Sequence, residues 1–378
     1  VIHDFYAYYR LVTQSDIDNI SNSSAKYADI MDAYQKLLLL MTARADNKKE
    51  KNDAISCFKE MLHPKGSDSH HILCKLLKIN EQGFCNQHIR CKLREINELG
   101  IDADIMTDAL PNGSWVIKFQ IELEKQFLSK DDVPFYIIDN PVRKDIVFGV
   151  PFTSAASWKG NLRWAMMKKS IEVYKDEPEK FAEMRFRHTL LFGSEEGFEV
   201  EPRGWTDYLD RLCLDAKKLY RDKLVKLFGN GESETKNVHI EGMLHFYPTF
   251  WDRIDLMVIN PHDREAKVGR NPIYFEVVPA DAKGMFRLLY VPYYWLTCDE
   301  KELKKRVLED LCEVVIGLKA MMLEYGFSAK KTDGFGKTKA SWDKSTSQVD
   351  VKSFFCIKEF SDFAELQKGL GCDANGNP

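Results

Sequence analysis

Residues 115–127 alternate strictly: Ile117, Phe119, Ile121 and Leu123 point one way, and Lys118, Gln120 and Glu122 the other. A period of two with one apolar face marks a strand buried on one side only. Such a strand needs a sheet around it and a second layer over its apolar face. The rest of the chain supplies both. Four more β-rich stretches follow, at 243–247, 254–259, 273–278 and 285–291, and a last strand is predicted at 351–357. Between them, Leu303, Val307, Leu311, Val315, Leu318 and Met322 recur every three or four residues, which predicts one long helix over 300–325. Shorter helices are predicted after Thr153 or Ser154, either of which can cap, and over 178–191 and 206–228. The order strand, helices, several strands, helix, strand fits an α+β domain with an antiparallel sheet, of which the ferredoxin-like βαββαβ core is one form.

The 378 residues are enough for two domains or one large domain with insertions. Residues 1–113 read as a short strand (1–12) followed by a helical lobe or insertion over 15–100. Residues 114–360 form the α+β domain, and 361–378 a polar tail. No apolar run approaches the ~18 residues of a membrane span. The opening Val1-Ile2-His3-Asp4 has no signal-peptide pattern, and the missing initiator Met points to a start slightly inside the gene product. Nine scattered cysteines read as reduced thiols in a cytoplasmic protein. With a net charge of −4, any polyanion must meet a local patch rather than a global positive field.

Two glycine-punctuated basic segments carry the chemistry. The first is 151–163, where a helix N-terminus offers unpaired backbone N–H groups. Lys159 and Arg163, four apart, share one face. Gly160 beside them removes a side chain and allows a sugar–phosphate backbone to approach. The plain alternative is a solvated basic helix face. The second is the loop after the long helix, with Lys330, Lys331, Gly334, Phe335, Gly336, Lys337 and Lys339. Glycine admits phosphate, lysine supplies charge and Phe offers a stacking surface. A flexible surface turn is the plain alternative here. Gly336-Lys337-Thr338 is not a P-loop, because Lys331 stands where that motif needs glycine. A third cluster, His262-Asp263-Arg264 after Asn260-Pro261, reads as a structural hydrogen-bond group at a strand end.

Together these segments resemble the RAMP superfamily of CRISPR proteins. Ser157, Lys159, Gly160 and Arg163 match its helix start, Leu191-Phe192-Gly193 its usual Leu-Phe-Gly, and Gly334-Phe335-Gly336-Lys337 its C-terminal glycine-rich loop. Phe152-Thr153-Ser154-Ala155 departs from the Pro-Gly-Ser-Ser of many members. The block Val258-Ile259-Asn260-Pro261-His262, with Pro272 to Pro279, is similar to the sixth-subunit branch of the type III-B (Cmr) effectors. The resemblance covers about 114–340 and implies a modified ferredoxin-like (RRM-type) fold and a non-catalytic role without cofactor or metal. It implies binding of guide RNA near its 3′ end and of the guide–target RNA duplex formed with a single-stranded target. Its partners would be the main backbone subunit, the first subunit and the small helical subunit, with no membrane. Lys159, Arg163, Lys330, Lys331, Lys337 and Lys339 would then hold guide phosphates. The excursion 128–148, with Arg143 and Lys144, would be the protruding thumb.

Three other readings compete. A RAMP endoribonuclease would use an aspartate among Asp131, Asp132 and Asp139. A zinc site would draw on His70, His71, Cys74, Cys85, His88 and Cys91, although Cys85-x-x-His88-x-x-Cys91 fits no standard finger spacing. A protein-only scaffold would make no RNA contact.

Overall fold

A computed structural model describes residues 84–131, 140–194, 204–228, 240–259 and 273–372, with positions 9 and 39. The predicted strand 1–12, most of the N-terminal helical lobe and the His262-Asp263-Arg264 cluster lie outside the described residues. In chain order the elements are α1 (Phe84–Glu98), β1 (Trp115–Glu122), α2 (Ala155–Met166), α3 (Pro178–Phe192), α4 (Trp205–Leu212), α5 (Ala216–Phe228) and β2 (Leu244–Phe246). Next come β3 (Asp255–Ile259), β4 (Ile273–Val277), β5 (Lys283–Tyr290), α6 (Glu300–Lys319), β6 (Gln348–Val351), β7 (Phe355–Lys358) and α7 (Phe363–Leu370).

The chain divides into two compact units that are not continuous in sequence. The first comprises Val1–Ala103, Gln126–Phe152 and Phe250–Ala282, and the second Asp104–Lys125, Thr153–Thr249 and Lys283–Pro378. In the first, β3 and β4 form an antiparallel hairpin. The excursion 128–148 belongs to this unit, and its described ends are tied down: Lys130 bridges Val142, Lys144 bridges Pro151, and Leu128 and Val142 are buried.

The second unit holds a five-stranded sheet in the order β2–β5–β1–β6–β7, with every described pairing antiparallel. Without β7, this is second–third–first–fourth of β1-α2-β2-β5-α6-β6, the ferredoxin-like arrangement. The alternation of β1 explains its central place. Trp115, Ile117, Phe119 and Ile121 are fully buried, and across β5 they meet Tyr290, Leu288, Phe286 and Gly284. Trp115 stacks on Tyr290 at 4.9 Å and Phe119 on Trp342 at 4.4 Å. Each such aromatic contributes about 2–3 kcal/mol by leaving water. Over this face lie α2, through Trp158, Leu162, Ala165 and Met166, and α6, through Leu303, Val307, Leu311 and Leu318. They pack closely at Gly317, where any Cβ would collide with the Met166 side chain. A polar knot ties the layers together. Asp310, 2% exposed, accepts from Arg187 (2.9 Å), Tyr290 (2.7 Å) and Trp295 (3.2 Å).

Several boundaries differ from the pattern in the sequence. The last strand is a hairpin, because the polar Lys352-Ser353 pair turns the chain with Ser353 at φ +70°. The 206–228 helix is two, broken at Cys213. Helix α6 runs on to Tyr325 as a π-helical turn, stopped by Gly326 at φ +75°. The supposed tail contains α7, capped by Asp362 accepting from the Glu365 amide at 2.8 Å, with Phe363, Leu366 and Leu370 buried. Cys312 and Cys372 are not separate thiols but a disulfide with Cα atoms 6.0 Å apart, since α7 brings Cys372 against α6. Cys91, Cys213, Cys298 and Cys356 are free. No described helix is long and apolar enough to cross a membrane.

Candidate nucleic-acid interface

RRM-type domains read single strands with aromatics on the open sheet face. Here that face carries Val116, Lys118, Gln120 and Glu122 from β1, and Lys283, Met285, Arg287 and Leu289 from β5, and half-buried Tyr247 packs on its Val116–Leu289 cluster. Residues 104–110 also lie across it. Asp104 pairs with Lys118 at 2.5 Å, Thr107 donates to Asp350 at 2.7 Å, and Ile105 and Leu110 pack on Val116 and Leu289. On this face Lys118 is matched by Asp104 and Lys283 lies 3.7 Å from Glu122; on the helical side, α2 carries Lys159 and Arg163.

Ser154 caps α2, its hydroxyl accepting from the Ser157 amide at 3.2 Å. With 3.6 residues per turn, Lys159 and Arg163 share one flank, while Asn161 stands roughly 160° and Trp164 roughly 100–140° round the axis from them. The contacts agree. Burial, and then the neighbouring Arg163 charge, hold the Lys159 ammonium below the ordinary lysine range. Lys159 also acts electrostatically on His245 of β2. The Arg163 carbonyl meets His188 Nε2 at 3.0 Å.

The opposite flank receives the glycine-rich loop. Lys331 Nζ donates to Asn161 Oδ1 at 2.6 Å and lies 5.1 Å from the Trp164 ring centre. Phe327 packs on Trp158 at 4.5 Å. The loop is not a loose surface turn. Phe327 N–H donates to the Gly336 carbonyl (3.1 Å), Thr338 N–H to Met322 (3.0 Å), and Glu124 N–H to Lys337 (2.9 Å). Gly336, at φ +71°, is buried against the Ser328 backbone, where a Cβ would stand 2.6 Å from the Ser328 nitrogen. Lys330 is exposed with a left-handed backbone, and Phe335 and Lys337 are half-buried. Lys125, which sequence reasoning did not single out, donates to the Asp333 carbonyl at 3.1 Å.

The loop and α2 therefore meet, but the two lysine groups flank the helix rather than face one another. Between them Gly160 is exposed, and a Cβ there would meet nothing within 4 Å. A mid-helix glycine costs about 0.5–1 kcal/mol relative to alanine. Packing does not require this one.

Not every expected cation is available. Lys144 pairs with Glu276, which is buried, and Lys339 pairs with Glu122; both carboxylates come from distant strands that the local sequence does not reveal. Arg143, exposed, lies 5.6 Å from the Phe152 ring, and both Arg143 and Lys144 belong to the first unit. Asp131 accepts from the Lys144 amide at 3.4 Å, and Asp132 and Asp139 lie outside the described residues. Among the described residues no group of three or more His, Cys, Asp or Glu could hold a metal ion. Cys85, His88 and Cys91 fall on the single helix α1, and His70, His71 and Cys74 lie outside the described residues.

His188 is buried, and that burial depresses its pKa to about 4. Above pH 6.5 it is neutral in both states. As pH falls, the unfolded chain takes up a proton that the folded chain refuses until about pH 4. Stability is expected to drop by about 3 kcal/mol across that window. Denaturant midpoints measured against pH should show this slope, and His188→Gln should flatten it.

Fold and surface thus define a ferredoxin-like α+β protein in which a helix and a glycine-rich loop bring cationic side chains together beside the exposed Gly160. The RAMP superfamily model matches residues 88–339, more than half of the chain, and the chain belongs to that superfamily. No curated protein matches it in sequence. Among solved structures it is similar to a chain of the type III-B Cmr-beta complex bound to cognate target RNA, at 13% identity over 92% of both chains with TM-score 0.35. It is also similar to Cmr6 from Pyrococcus furiosus, at 16% identity over 60% of this chain and 98% of that one, TM-score 0.27. A third is a chain of a CRISPR RNA-guided surveillance complex in a pre-nicking state, at 11% identity over 62% and 77%, TM-score 0.32.

Proposed function

We propose that this chain is a non-cleaving subunit of a type III-B CRISPR effector, gripping guide RNA near its 3′ end beside the main backbone and first subunits. Superfamily membership supports an effector subunit. The observation that carries the RNA contact is Gly160, an exposed helical glycine without packing duty, between Lys159 and Arg163 on one flank and Lys331 on the other. A phosphodiester backbone can cross α2 there at close range, with cations on both sides. Such a contact needs no acid–base chemistry, only charge and a low ridge.

The test is Gly160→Leu. Helix propensity and open space both favour a folded variant, at least as stable as the parent. Retention of RNA by the purified effector should nonetheless fall about tenfold, corresponding to ~1.4 kcal/mol. Undiminished retention would remove the crossing point. For the non-cleaving role, replacing Asp131, Asp132 and Asp139 together by Ala in the assembled effector should leave the ladder of target products unchanged.

A further inference from the structure

The flank of α2 that meets the loop carries a group that the phosphate path does not use. The Trp164 and Tyr325 rings stand 4.8 Å apart at 78°, both half-buried. Lys331 lies 5.1 Å and Lys168 6.0 Å from the Trp164 ring centre, Lys168 also lies 5.2 Å from that of Tyr208, and Lys169 lies 5.9 Å from that of Tyr325. The core is built from other aromatics, such as Trp115, Trp158 and Phe119, whereas these three rings keep solvent contact.

The lysines differ in their pairing. Lys168 is matched by Glu172 at 2.6 Å and Lys169 by Glu324 at 2.5 Å. The partners of Lys331 among the described residues are neutral: the Asn161 side-chain carbonyl and the Trp164 ring. We infer that the Trp164 face stacks an unpaired RNA base, with Tyr325 set edge-on to hold that ring in place, and that Lys331 takes the phosphate of the same nucleotide. Aromatic faces hold bases without reading sequence, and a nearby cation adds the charge term. Partial burial keeps the Lys331 ammonium below the usual lysine range, and an incoming phosphate supplies the anion it lacks.

The inference rests on the RNA-binding reading above, and its test separates the two. The full chain is titrated with a uridine-rich single-stranded RNA, with the same RNA carrying abasic positions, and with 5-iodouridine RNA for photocrosslinking. The expected result is crosslinks at Trp164 or Tyr325 and affinity lost about tenfold in Trp164→Leu. The slope of log K against log salt should stay unchanged in that variant, because no phosphate contact is lost. Lys331→Gln should lower the slope, and Trp164→Phe, which keeps a ring and the fold, should restore most of the affinity. If Trp164→Leu and Trp164→Phe, both folded by melting curve, bind abasic and intact RNA as the parent does while Lys159→Glu binds weakly, the stacking site is wrong and RNA binding stands. If the parent binds no RNA, both fail.

Discussion

Reversing charge on both flanks of α2, with Lys159→Glu and Lys331→Glu together, is expected to cut RNA retention about 100-fold or more at low salt. Each site removes one cation and adds one anion next to the crossing backbone. Loss of two phosphate contacts should also lower the salt slope by roughly 1.4, since each contact to a single strand contributes about 0.7. Neither residue has a carboxylate partner among the described contacts: Lys159 neighbours Arg163, and Lys331 is held by Asn161. The fold should therefore survive, with a melting midpoint close to the parent's. Lys339→Gln provides the contrast. Its charge is already matched by Glu122, so retention should change little. Retention measured on filters across a salt series decides between this and a scaffold that makes no RNA contact.

The largest stability effect is expected at Asp310. Its carboxylate receives the Arg187 guanidinium, the Tyr290 hydroxyl and the Trp295 indole, joining α3, β5 and α6 beneath the sheet. Burial works against the Arg187 charge, but Asp310, Glu313 and Glu309 outweigh it and raise its pKa. Asp310→Ala leaves the Tyr290 and Trp295 donors without their acceptor and Arg187 with only the longer Glu309 pair at 3.6 Å, a loss of about 3 kcal/mol. At roughly 2–4 °C per kcal/mol for a unit of this size, the melting midpoint should fall by about 10 °C. Asp310→Asn, which keeps one acceptor oxygen, should fall less. A calorimetric shift below about 2 °C would show the knot to be dispensable.

How much of this was legible depended on the range of the interaction. Alternation in 115–123 and the apolar stripe of 303–322 placed β1 and α6, because burial on one face repeats every two or every three to four residues. The Lys159–Arg163 flank was legible for the same reason. The β6–β7 hairpin was not, because its turn is Lys352-Ser353-Phe354, with a left-handed Ser353 in place of glycine. Helix α7 was hidden by its short length, and the Cys312–Cys372 bond by sixty residues of intervening chain. Tertiary ion pairs likewise decided which lysines keep available charge, as Lys144 with Glu276 shows. The missed Trp164 platform left a local trace in the Trp164/Lys168 spacing of four, but Lys331 and Tyr325 reach it only through the folded loop.

The most direct measurement is ultraviolet crosslinking of the assembled, RNA-loaded effector, followed by mass-spectrometric mapping of the nucleotide-bearing peptides of this chain. Adducts should concentrate in 155–168 and 326–339, on both sides of Gly160. RNA present in the assembly with adducts confined to other segments, such as the open sheet face, would contradict the path across α2.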